Sequence, residues 1–388
     1  MTIAVTGGGS GGHITPILAV AAELKKQQPD VKIVYIGQIG DKLTDIPKAD
    51  PNIDSCFDIY AGKFRRYNEE GWKQILDYKT QYLNARDFIR TLRGLLQSWR
   101  LLGKIKPEAI FTRGAAVSVP VAIAAWFKGI PYITHDSDSI PGLTNRIIGR
   151  WASINMVAMD PSIYPYDPEK TIRVGVPISD KYKPLTEKEI DQYRLELGLK
   201  EYKQLVCVTG GGNGAKTLNR IVLDNAAYLL KRFPKLAIIH ISGRGLEDEV
   251  ENEYKEILSD KDFKRVMVKG FVTDLYRYSG AADVVIARGG ATNLAEFATQ
   301  QKACVIIPSS KLIWNVKNVE LLGAEQAIIE MSEDQAEQEL RLASNIEAIF
   351  TSKTLRHNLE KKFAQFSNIK AASNIARIIL ETATNKQG

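Results

Sequence analysis

The sequence predicts an α/β protein built from two similar domains, each a parallel sheet covered by helices. Its 388 residues are enough for two domains of ordinary size. Short β-rich apolar runs alternate with longer helical patterns, which is typical of parallel strands joined by helical crossovers. A glycine-rich turn between a strand and a helix occurs twice, about 200 residues apart.

The secondary-structure elements follow in a regular order. The predicted helices include Pro16–Gln28 and Thr217–Phe233, and two amphipathic helices are predicted between Ile346 and Thr382. The predicted strands are Ile3–Thr6, Lys32–Ile36, Ala109–Phe111, Tyr132–Thr134, Ile154–Ala158, Leu205–Thr209, Ala237–Ser242, Val266–Lys269, Val284–Ala287 and Cys304–Ile307.

The repeated glycine turn suggests where the domains begin. Ala4–Gly11 reads AVTGGGSG and Cys207–Gly214 reads CVTGGGNG, and each copy ends a strand and opens a helix. A polar stretch with prolines, Arg173–Pro184, lies between them as a linker. The predicted domains are an N-terminal Rossmann-like domain at 1–175, a C-terminal Rossmann-like domain at 176–350 and C-terminal helices at 351–388, whose return to the first domain the sequence leaves open.

Both glycine loops are candidate phosphate sites. Glycine lets the backbone approach a ligand, and the following helix directs free N–H groups and partial positive charge at that place. The alternative is a tight turn without a ligand. Gly7–Gly12 also fits a dinucleotide-binding pattern, but the second strand runs to Gln38 without the acid that would hold a ribose. Ala215 stands where a nucleoside-triphosphatase loop requires glycine, which argues against that class.

His13 directly follows the first glycine loop, at the start of a helix. A histidine at a helix N-terminus has a lowered pKa and can act as a neutral general base near pH 7. A helix-capping or core histidine is an equally good interpretation of the residue by itself.

Charge and composition narrow the remaining functions. Residues 60–106 contain eleven Lys/Arg and four acids, which accounts for the whole net charge of +7. This local excess suggests an anionic partner such as a lipid headgroup, a diphosphate or nucleic acid. The cysteines and histidines are widely separated and give no metal-ligand spacing, so no metal and no cofactor are expected. No signal peptide or spanning segment is visible, which predicts a cytoplasmic protein.

The basic segment has apolar residues at helical spacing between Trp72 and Ile105. One interpretation is one or two helices packed on the first domain, with a solvated basic face. The other is a patch that docks on an anionic membrane surface, with Phe64, Trp72 or Trp99 at the interface and Lys63–Arg66 suited to a lipid diphosphate. No nucleic-acid recognition motif is present, so nucleic acid is not an expected partner.

Several segments, taken in order, resemble the MurG family of glycosyltransferases. Gly8–Leu24, which begins GGSGGHITP, resembles the amino terminus of the family, and Arg288–Glu296 (RGGATNLAE) resembles its donor-binding segment. Pro141–Asn145 and Gly210–Ala215 resemble two further family segments, and the resemblance covers roughly residues 3–330. These transferases add GlcNAc to undecaprenyl-diphospho-muramoyl-pentapeptide, which is called lipid I.

The resemblance implies the glycosyltransferase-B fold, in which two Rossmann-like domains face each other across a cleft. It also implies UDP-GlcNAc as the donor, bound mainly by the second domain. Glu296 would hold the ribose hydroxyls, since a carboxylate is a good bidentate acceptor for such a diol. The backbone of Val272 would contact the uracil edge, and Asn315 would contact the sugar. The remaining donor residues that the resemblance implies are Gly212, Ala291, Thr292, Asn293, Leu294 and Ala295.

The first glycine loop would serve the acceptor. By resemblance, Ser10, Gly11 and Gly12 face the diphosphate of a polyprenyl-linked acceptor, and His13 lies near the attacking hydroxyl. The donor is α-linked and the family's product is β-linked, so the reaction inverts in one displacement. Helix dipoles and backbone N–H groups can stabilise the leaving UDP without a metal.

Three positions depart from the family pattern. Asp138 replaces asparagine in the segment HDSD, where the family has HEQN, and an acid there would repel a diphosphate unless it is paired or protonated. Ser179 stands where arginine is usual, and Gly212 replaces a serine. The candidate compensating cations are Arg113, Arg146 and Arg173.

The sequence therefore predicts inverting transfer of GlcNAc from UDP-GlcNAc to lipid I, which gives lipid II in peptidoglycan synthesis. The enzyme would be peripheral on the inner face of the cell membrane. Two alternatives stay open: a related transferase with another UDP-sugar or glycolipid acceptor, and a nucleotide-sugar-binding protein without catalytic activity.

Overall fold

Two compact units make up the part of the chain that the computed structural model describes, residues 1–9, 11–62 and 78–385. The first unit contains Met1–Ser179 and the residues from Lys370 onward, and the second contains Asp180–Ile369. Each unit is a parallel sheet with helices along the chain between its strands. This confirms the predicted class of two parallel-sheet α/β domains.

A seven-stranded parallel sheet forms the first unit. Its strands are β1 (Thr2–Thr6), β2 (Lys32–Gln38), β3 (Ser55–Ile59), β4 (Ala109–Thr112), β5 (Tyr132–Asp136), β6 (Ile154–Val157) and β7 (Thr171–Arg173), in the order β3-β2-β1-β4-β5-β6-β7. Its helices in this part of the chain are α1 (Gly11–Gln27), α2 (Asp45–Lys48), α3 (Tyr78–Ile105), α4 (Ser118–Phe127) and α5 (Leu143–Ile148), with 3₁₀ helices at Pro161–Ile163 and Pro168–Lys170.

A six-stranded parallel sheet forms the second unit. Its strands are β8 (Gln204–Thr209), β9 (Leu236–Ile241), β10 (Val266–Lys269), β11 (Val284–Ala287), β12 (Ala303–Ile306) and β13 (Ile329–Glu330), in the order β10-β9-β8-β11-β12-β13. Its helices are α6 (Glu187–Glu196), α7 (Lys216–Arg232), α8 (Glu247–Ile257), α9 (Asp260–Phe263), α10 (Leu275–Ala281), α11 (Ala291–Thr299), α12 (Ile313–Ala324), α13 (Glu333–Ala336), α14 (Arg341–Thr351) and α15 (Lys353–Ala364).

The last helix, α16 (Ala371–Asn385), packs on the first unit. Its buried Ile375 and Ile379 join the core that contains Ile3 and Val5 of β1. Gln27 at the end of α1 also donates to the Ser373 carbonyl at 2.9 Å. The first sheet is therefore covered on one face by α1 and by this C-terminal helix together.

Strand order places both glycine loops where ligands bind in such folds. In the first sheet β1 lies between β2 and β4, and in the second β8 lies between β9 and β11, so strand order reverses at β1 and at β8. Open α/β sheets bind ligands outside the carboxyl ends of the strands at this switch point. The two glycine loops leave β1 and β8 at their carboxyl ends.

The ten strands predicted from the sequence are all present, with ends that agree to within two residues. The sequence did not indicate three further strands, β3, β7 and β13, and each is an edge strand. Each of the three lacks the continuous apolar run that marks the central strands. β7 is only three residues long and β13 only two.

Helix α1 begins at Gly11 inside the glycine loop, not at Pro16 as predicted. In an α-helix the N–H of residue 16 would bond to the carbonyl of Gly12, but proline has no N–H. The Gly12 carbonyl is therefore left open for another donor.

Three helices occupy the C-terminal region where two were predicted between Ile346 and Thr382. Ser352 ends α14 and its side chain accepts the Leu355 N–H, so one residue closes one helix and caps the next. An amphipathic pattern continues through such a join, which explains why the sequence did not indicate it.

The basic segment forms one long helix, α3, over its described part. The expectations for Lys63–Arg66, Phe64 and Trp72 lie outside the described residues, as does the expectation for Ser10. Trp99 is described, and 44% of it is exposed.

Candidate active site

The first glycine loop is fixed by side chains from the neighbouring strand and the loop that follows it. Tyr35 donates to the Gly7 carbonyl at 2.6 Å, and Asp41 accepts the Gly9 N–H at 2.7 Å. Gly9 has a φ of +78°, and a Cβ on Gly7 would come within 2.7 Å of Ile17. The left-handed backbone at Gly9 favours glycine, whereas the atom near Gly7 is the flexible end of the Ile17 side chain and can shift. The bond to Asp41 also shows that a loop N–H is turned toward an oxyanion.

His13 lies in the first turn of α1, and its ring is fixed by the backbone after β4. Its Nδ1 is 3.0 Å from the carbonyl oxygen of Arg113. A carbonyl only accepts, so Nδ1 carries the proton and Nε2 keeps its lone pair. Burial and the Arg113 charge lower the pKa of His13 to about 4. His13 is thus a neutral imidazole whose free nitrogen can accept a proton.

Arg113 connects the first turn of α1 to the end of β5. Its Nη2 donates to the Gly12 carbonyl at 3.2 Å, and its Nη1 contacts Nδ1 of His135. The Nε2 of His135 donates to the Gly175 carbonyl at 2.8 Å, which leaves Nδ1 free to accept from the guanidinium. Burial lowers the pKa of His135 well below its usual value, so this histidine is also neutral.

Asp136 and Asp138 stand on either side of Ser137 at the end of β5. Burial raises the pKa of Asp136 to about 6, although hydrogen bonds from Tyr166 and Gly142 oppose the shift. The Tyr166 hydroxyl donates to Oδ2 of Asp136 at 2.5 Å. The carbonyl of Asp138 accepts from Tyr164 at 2.9 Å, and the two tyrosine rings stack. The structure therefore fixes the backbone of the half-buried Asp138 against Tyr164, next to the Asp136–Tyr166 hydrogen bond.

The structure brings most of the predicted acceptor residues into one neighbourhood. Gly11, Gly12 and His13 form the first turn of α1, and Arg113 links that turn to the segment that carries Asp138. Of the three candidate compensating cations, Arg113 alone is buried there; the other two, Arg146 and Arg173, are exposed.

The second glycine loop depends on a close approach of two backbones. Gly214 has a φ of +73°, and a Cβ there would run into the Ser242 carbonyl after β9. The Gly214 N–H donates to Gly211 at 2.9 Å, and the Gly211 N–H donates to Oγ1 of Thr209 at 3.2 Å. The loop therefore closes on itself before α7 begins, and glycine is required at position 214.

Gly212 lies against two residues from neighbouring loops. Its carbonyl accepts the Arg244 N–H at 3.2 Å, and a Cβ on Gly212 would be 3.3 Å from the Phe271 ring. The Arg244 guanidinium lies 3.8 Å from the centroid of that ring. Val272 follows Phe271 directly and is partly buried. Val272, the predicted uracil contact, and Gly212, the predicted contact of the second glycine loop, are thus neighbours. The exposed Arg244 side chain lies beside them.

Helix α11 begins without a side-chain cap. Gly290 is its N-cap residue and has no side chain, so within the described part of the chain no N-cap side chain accepts from the N–H groups of the first turn. Glu296 lies further along this helix, is 7% exposed and forms a hydrogen bond with Tyr182. Burial raises the pKa of Glu296 to about 8, and the bond from Tyr182 opposes the shift. An open helix N-terminus and a buried carboxyl group therefore belong to one short helix.

Asn315 lies beside the loop that precedes α11. A Cβ on Gly289 would come within 2.7 Å of the Asn315 carbonyl, and Asn318 donates to the Gly289 carbonyl at 3.2 Å. The predicted donor residues of the second unit thus follow the carboxyl ends of the strands β8, β10, β11 and β12 at one edge of its sheet. These residues are Gly212, Val272, Ala291–Glu296 and Asn315.

Sequence reasoning missed two residues of this edge, Tyr182 and Arg244. Tyr182 lies in the predicted linker, and only its contact with Glu296 relates it to the site. Arg244 had a usable signal, because it stands between Gly243 and Gly245 directly after a predicted strand. An arginine in a glycine turn at a strand's carboxyl end is well placed to meet a ligand.

The described residues contain no cluster of metal ligands and no helix that could span a membrane. No group of three or more His, Cys, Asp or Glu side chains there could hold a metal ion. None of the helices in that part of the chain is long and apolar enough to cross a membrane.

Comparison with known families gives two matches that cover most of the chain. Residues 3–156 match the glycosyltransferase family 28 N-terminal domain. Residues 205–376 match the glycosyltransferase family 28 C-terminal domain. The first match contains the first glycine loop, and the second contains the second loop and α11.

A similar curated protein is the UDP-N-acetylglucosamine–N-acetylmuramyl-(pentapeptide) pyrophosphoryl-undecaprenol N-acetylglucosamine transferase of Bacillus subtilis. It is 30% identical over 363 residues, which cover 93% of this chain and 94% of that protein. Among solved structures, Acinetobacter baumannii MurG aligns with a TM-score of 0.68 at 19% identity, over 98% of this chain and 99% of that one. The UDP-GlcNAc 2-epimerase of Neisseria meningitidis, bound to UDP-GlcNAc, aligns with a TM-score of 0.65 at 12% identity, over 99% and 100%. These structural likenesses support the glycosyltransferase-B fold.

Proposed function

The chain belongs to glycosyltransferase family 28, and from this premise we propose that it transfers GlcNAc from UDP-GlcNAc to a polyprenyl-diphosphate-linked acceptor. The acceptor we propose is undecaprenyl-diphospho-muramoyl-pentapeptide, so that the product is lipid II of peptidoglycan synthesis. The name of the Bacillus subtilis relative describes this reaction for that protein.

One observation carries the donor half of the proposal: α11 joins an uncapped N-terminus to the buried carboxyl group of Glu296. The free N–H groups and the helix dipole suit the diphosphate of a nucleotide sugar. A carboxylate further along the same helix can accept from both ribose hydroxyls. Gly212, Val272 and Asn315 follow the carboxyl ends of other strands at the same edge of this sheet, and Arg244 adds a cation beside Gly212.

The transfer itself needs a base for the acceptor and support for the leaving group. In a single displacement, the acceptor hydroxyl oxygen bonds to the anomeric carbon while the bond to the UDP oxygen breaks. His13 has a free Nε2 to take the hydroxyl proton. The charge that develops on UDP would be stabilised by the N–H groups at the start of α11. The anomeric centre inverts, so an α-linked donor gives a β-linked product.

We propose that the acceptor lipid is met at a membrane surface through α3. Six large apolar residues of this helix recur at helical spacing and are exposed: Tyr78, Tyr82, Ile89, Leu92, Leu96 and Trp99. Basic residues recur at the same spacing, shifted by one position along the chain: Arg86, Arg90, Arg93, Arg100 and Lys104. An apolar stripe beside a basic stripe is the pattern of a helix that lies on anionic lipid.

A transfer assay with purified protein and a soluble lipid I analogue tests the function. We expect product with UDP-GlcNAc and far less with UDP-GalNAc or UDP-glucose. Equal or faster transfer from another UDP-sugar would support the related-transferase alternative. Tight UDP binding without any transfer would support a nucleotide-sugar-binding protein that has lost catalysis.

A further inference from the structure

His240 is a buried histidine of the second unit that lies on β9, one residue before the strand ends. Its Nδ1 is 2.9 Å from the hydroxyl oxygen of Tyr254 on α8, and its Nε2 is 3.1 Å from Oδ1 of Asn219 on α7. Nδ2 of Asn219 donates to the Ser242 carbonyl at 3.0 Å. Three buried side chains thus form a continuous chain of hydrogen bonds that ends on the backbone after β9.

The hydrogen bonds of this chain all run in one direction. A carbonyl only accepts, so the amide of Asn219 turns its Nδ2 to Ser242 and its Oδ1 to His240. Nε2 of His240 therefore carries the proton, and Nδ1 accepts from the Tyr254 hydroxyl. Burial lowers the pKa of His240 to about 3 and raises the pKa of Tyr254, so both groups are neutral, as this arrangement requires.

The backbone that receives this chain of hydrogen bonds packs directly on the second glycine loop. A Cβ on Gly214 would run into the Ser242 carbonyl, and a Cβ on Gly243 would run into the Gly214 backbone. The next N–H along the chain, that of Arg244, donates to the Gly212 carbonyl at 3.2 Å. Because the two backbones touch without side chains between them, a shift of the turn Ser242–Arg244 changes the position of the loop as well.

We propose that His240 and Asn219 are positioning residues for the donor: their hydrogen bonds hold the turn Ser242–Arg244 against the second glycine loop, and this sets the affinity for UDP-GlcNAc. The proposal rests on the proposed function, which assigns Gly212 and Arg244 to the donor edge of the second sheet. Neither positioning residue touches the nucleotide, since both act through the backbone of the turn. A displacement of ~1 Å in such a loop is enough to weaken the contacts of a bound ligand.

Asn225 supplies a matched control, because it makes the same pair of hydrogen bonds further along α7. Its Oδ1 accepts the Ala343 N–H at 3.1 Å, and its Nδ2 donates to the Ile221 carbonyl at 2.8 Å. Asn225 and Asn219 are 2% and 3% exposed. The bonds of Asn225 join α7 to α14 and not to the turn after β9, so its loss affects stability without affecting the loop.

The test replaces each asparagine with an aspartate of the same shape. In Asn219→Asp an ionised carboxylate faces the Ser242 carbonyl, so an acceptor replaces the donor and repels the turn. Burial raises the pKa of such a carboxyl group, and its protonated form can donate to Ser242 again at lower pH. Asn225→Asp undergoes the same change at the Ile221 carbonyl. Isothermal titration with UDP-GlcNAc and thermal melting, both between about pH 6 and pH 8.5, compare the two variants with the wild type.

We expect Asn219→Asp to bind UDP-GlcNAc about tenfold more weakly than the wild type at about pH 8.5, and this deficit to shrink as the pH falls. Comparison with the wild type at each pH removes the contribution of Glu296, which titrates in both proteins. Asn225→Asp should lower the melting temperature by a similar amount but bind the donor within about twofold of the wild type at every pH. The KM for the lipid I analogue should stay nearly constant in both variants.

Equal donor affinities of Asn219→Asp and Asn225→Asp would overturn the proposal, as would a deficit of Asn219→Asp that grows when the pH falls. If Asn219→Asp does not fold, His240→Gln and His240→Leu decide, because Gln keeps an N–H donor for Asn219 and Leu does not. His240→Gln should then bind UDP-GlcNAc at least about threefold more tightly than His240→Leu, and equal affinities would overturn the proposal. A wild type that does not bind UDP-GlcNAc would instead overturn the proposed function, and this proposal with it.

Discussion

The ionisation of Glu296 should make donor binding strongly pH-dependent. Burial raises the pKa of this carboxyl group to about 8, and we propose that its ionised form accepts the ribose hydroxyls. A carboxyl group with that pKa is ionised in about 9% of molecules at pH 7 and in about 76% at pH 8.5. Affinity for UDP-GlcNAc should therefore rise about eightfold over this range, or ~1.2 kcal/mol.

Isothermal titration with UDP-GlcNAc at several pH values measures this rise. UDP-GlcNAc is preferred to UDP because its diphosphate does not titrate in this range. Glu296→Gln should bind with nearly the same affinity at every pH, since an amide oxygen accepts hydrogen bonds without ionising. A donor that lacks the ribose 2′-hydroxyl should show a weaker pH dependence on the wild type, because it makes fewer bonds to the carboxylate.

Tyr182 supplies a second, directional check. Its hydroxyl bond lowers the pKa of Glu296, so Tyr182→Phe should move the rise in affinity to higher pH. The reasoning would be refuted if UDP-GlcNAc affinity on the wild type were flat between about pH 7 and pH 8.5. It would also be refuted if Glu296→Gln kept the full slope, since another group would then be titrating.

Three further changes test other parts of the molecule. His13→Ala should abolish most of kcat without changing UDP affinity. In the wild type, the acid limb of kcat/KM reports the pKa of His13 in the free protein, which is about 4. The acid limb of kcat should lie at higher pH, because a bound diphosphate raises the pKa of His13. Gly214→Ala should lower the melting temperature by several degrees and weaken UDP binding, since it combines left-handed backbone strain with a clash of the order of 2 kcal/mol. Gly245→Ala has similar backbone strain but open space around its Cβ, so it should lower the melting temperature less. The double variant Leu92→Glu/Leu96→Glu should sediment less with anionic vesicles, and its initial rate on a membrane-embedded acceptor should fall in proportion. Leu195 is a similarly exposed leucine of the second unit, and Leu195→Glu should leave both the sedimentation and the rate unchanged.

The main architecture could be predicted from the sequence because its signals are local. Each central strand is a short apolar run buried on both faces, and each glycine loop follows such a run directly. Three edge strands were not predicted because they lack such a run. Ser55–Ile59 carries a serine and an acid, and Thr171–Arg173 is short and largely exposed. Pattern alone does not separate such strands from loops.

Some residues around the candidate site were harder to predict from the sequence, because they reach the site only through contacts between segments that are distant along the chain. Arg113 follows an ordinary strand, and only the pairing of β4 with β5 brings it to His135. Tyr182 lies more than a hundred residues before Glu296, and no sequence pattern indicates that the two residues meet. The raised pKa of Glu296 likewise comes from burial that only the packed helix creates.

The crystal structure of the protein with UDP-GlcNAc tests the central claim most directly. We expect the ribose hydroxyls on the Glu296 carboxylate, the uracil edge on the backbone of Val272 and the diphosphate at the N-terminus of α11. A nucleotide bound at the first glycine loop, or anywhere away from α11, would contradict the assignment of the donor to the second unit and of the acceptor to the first.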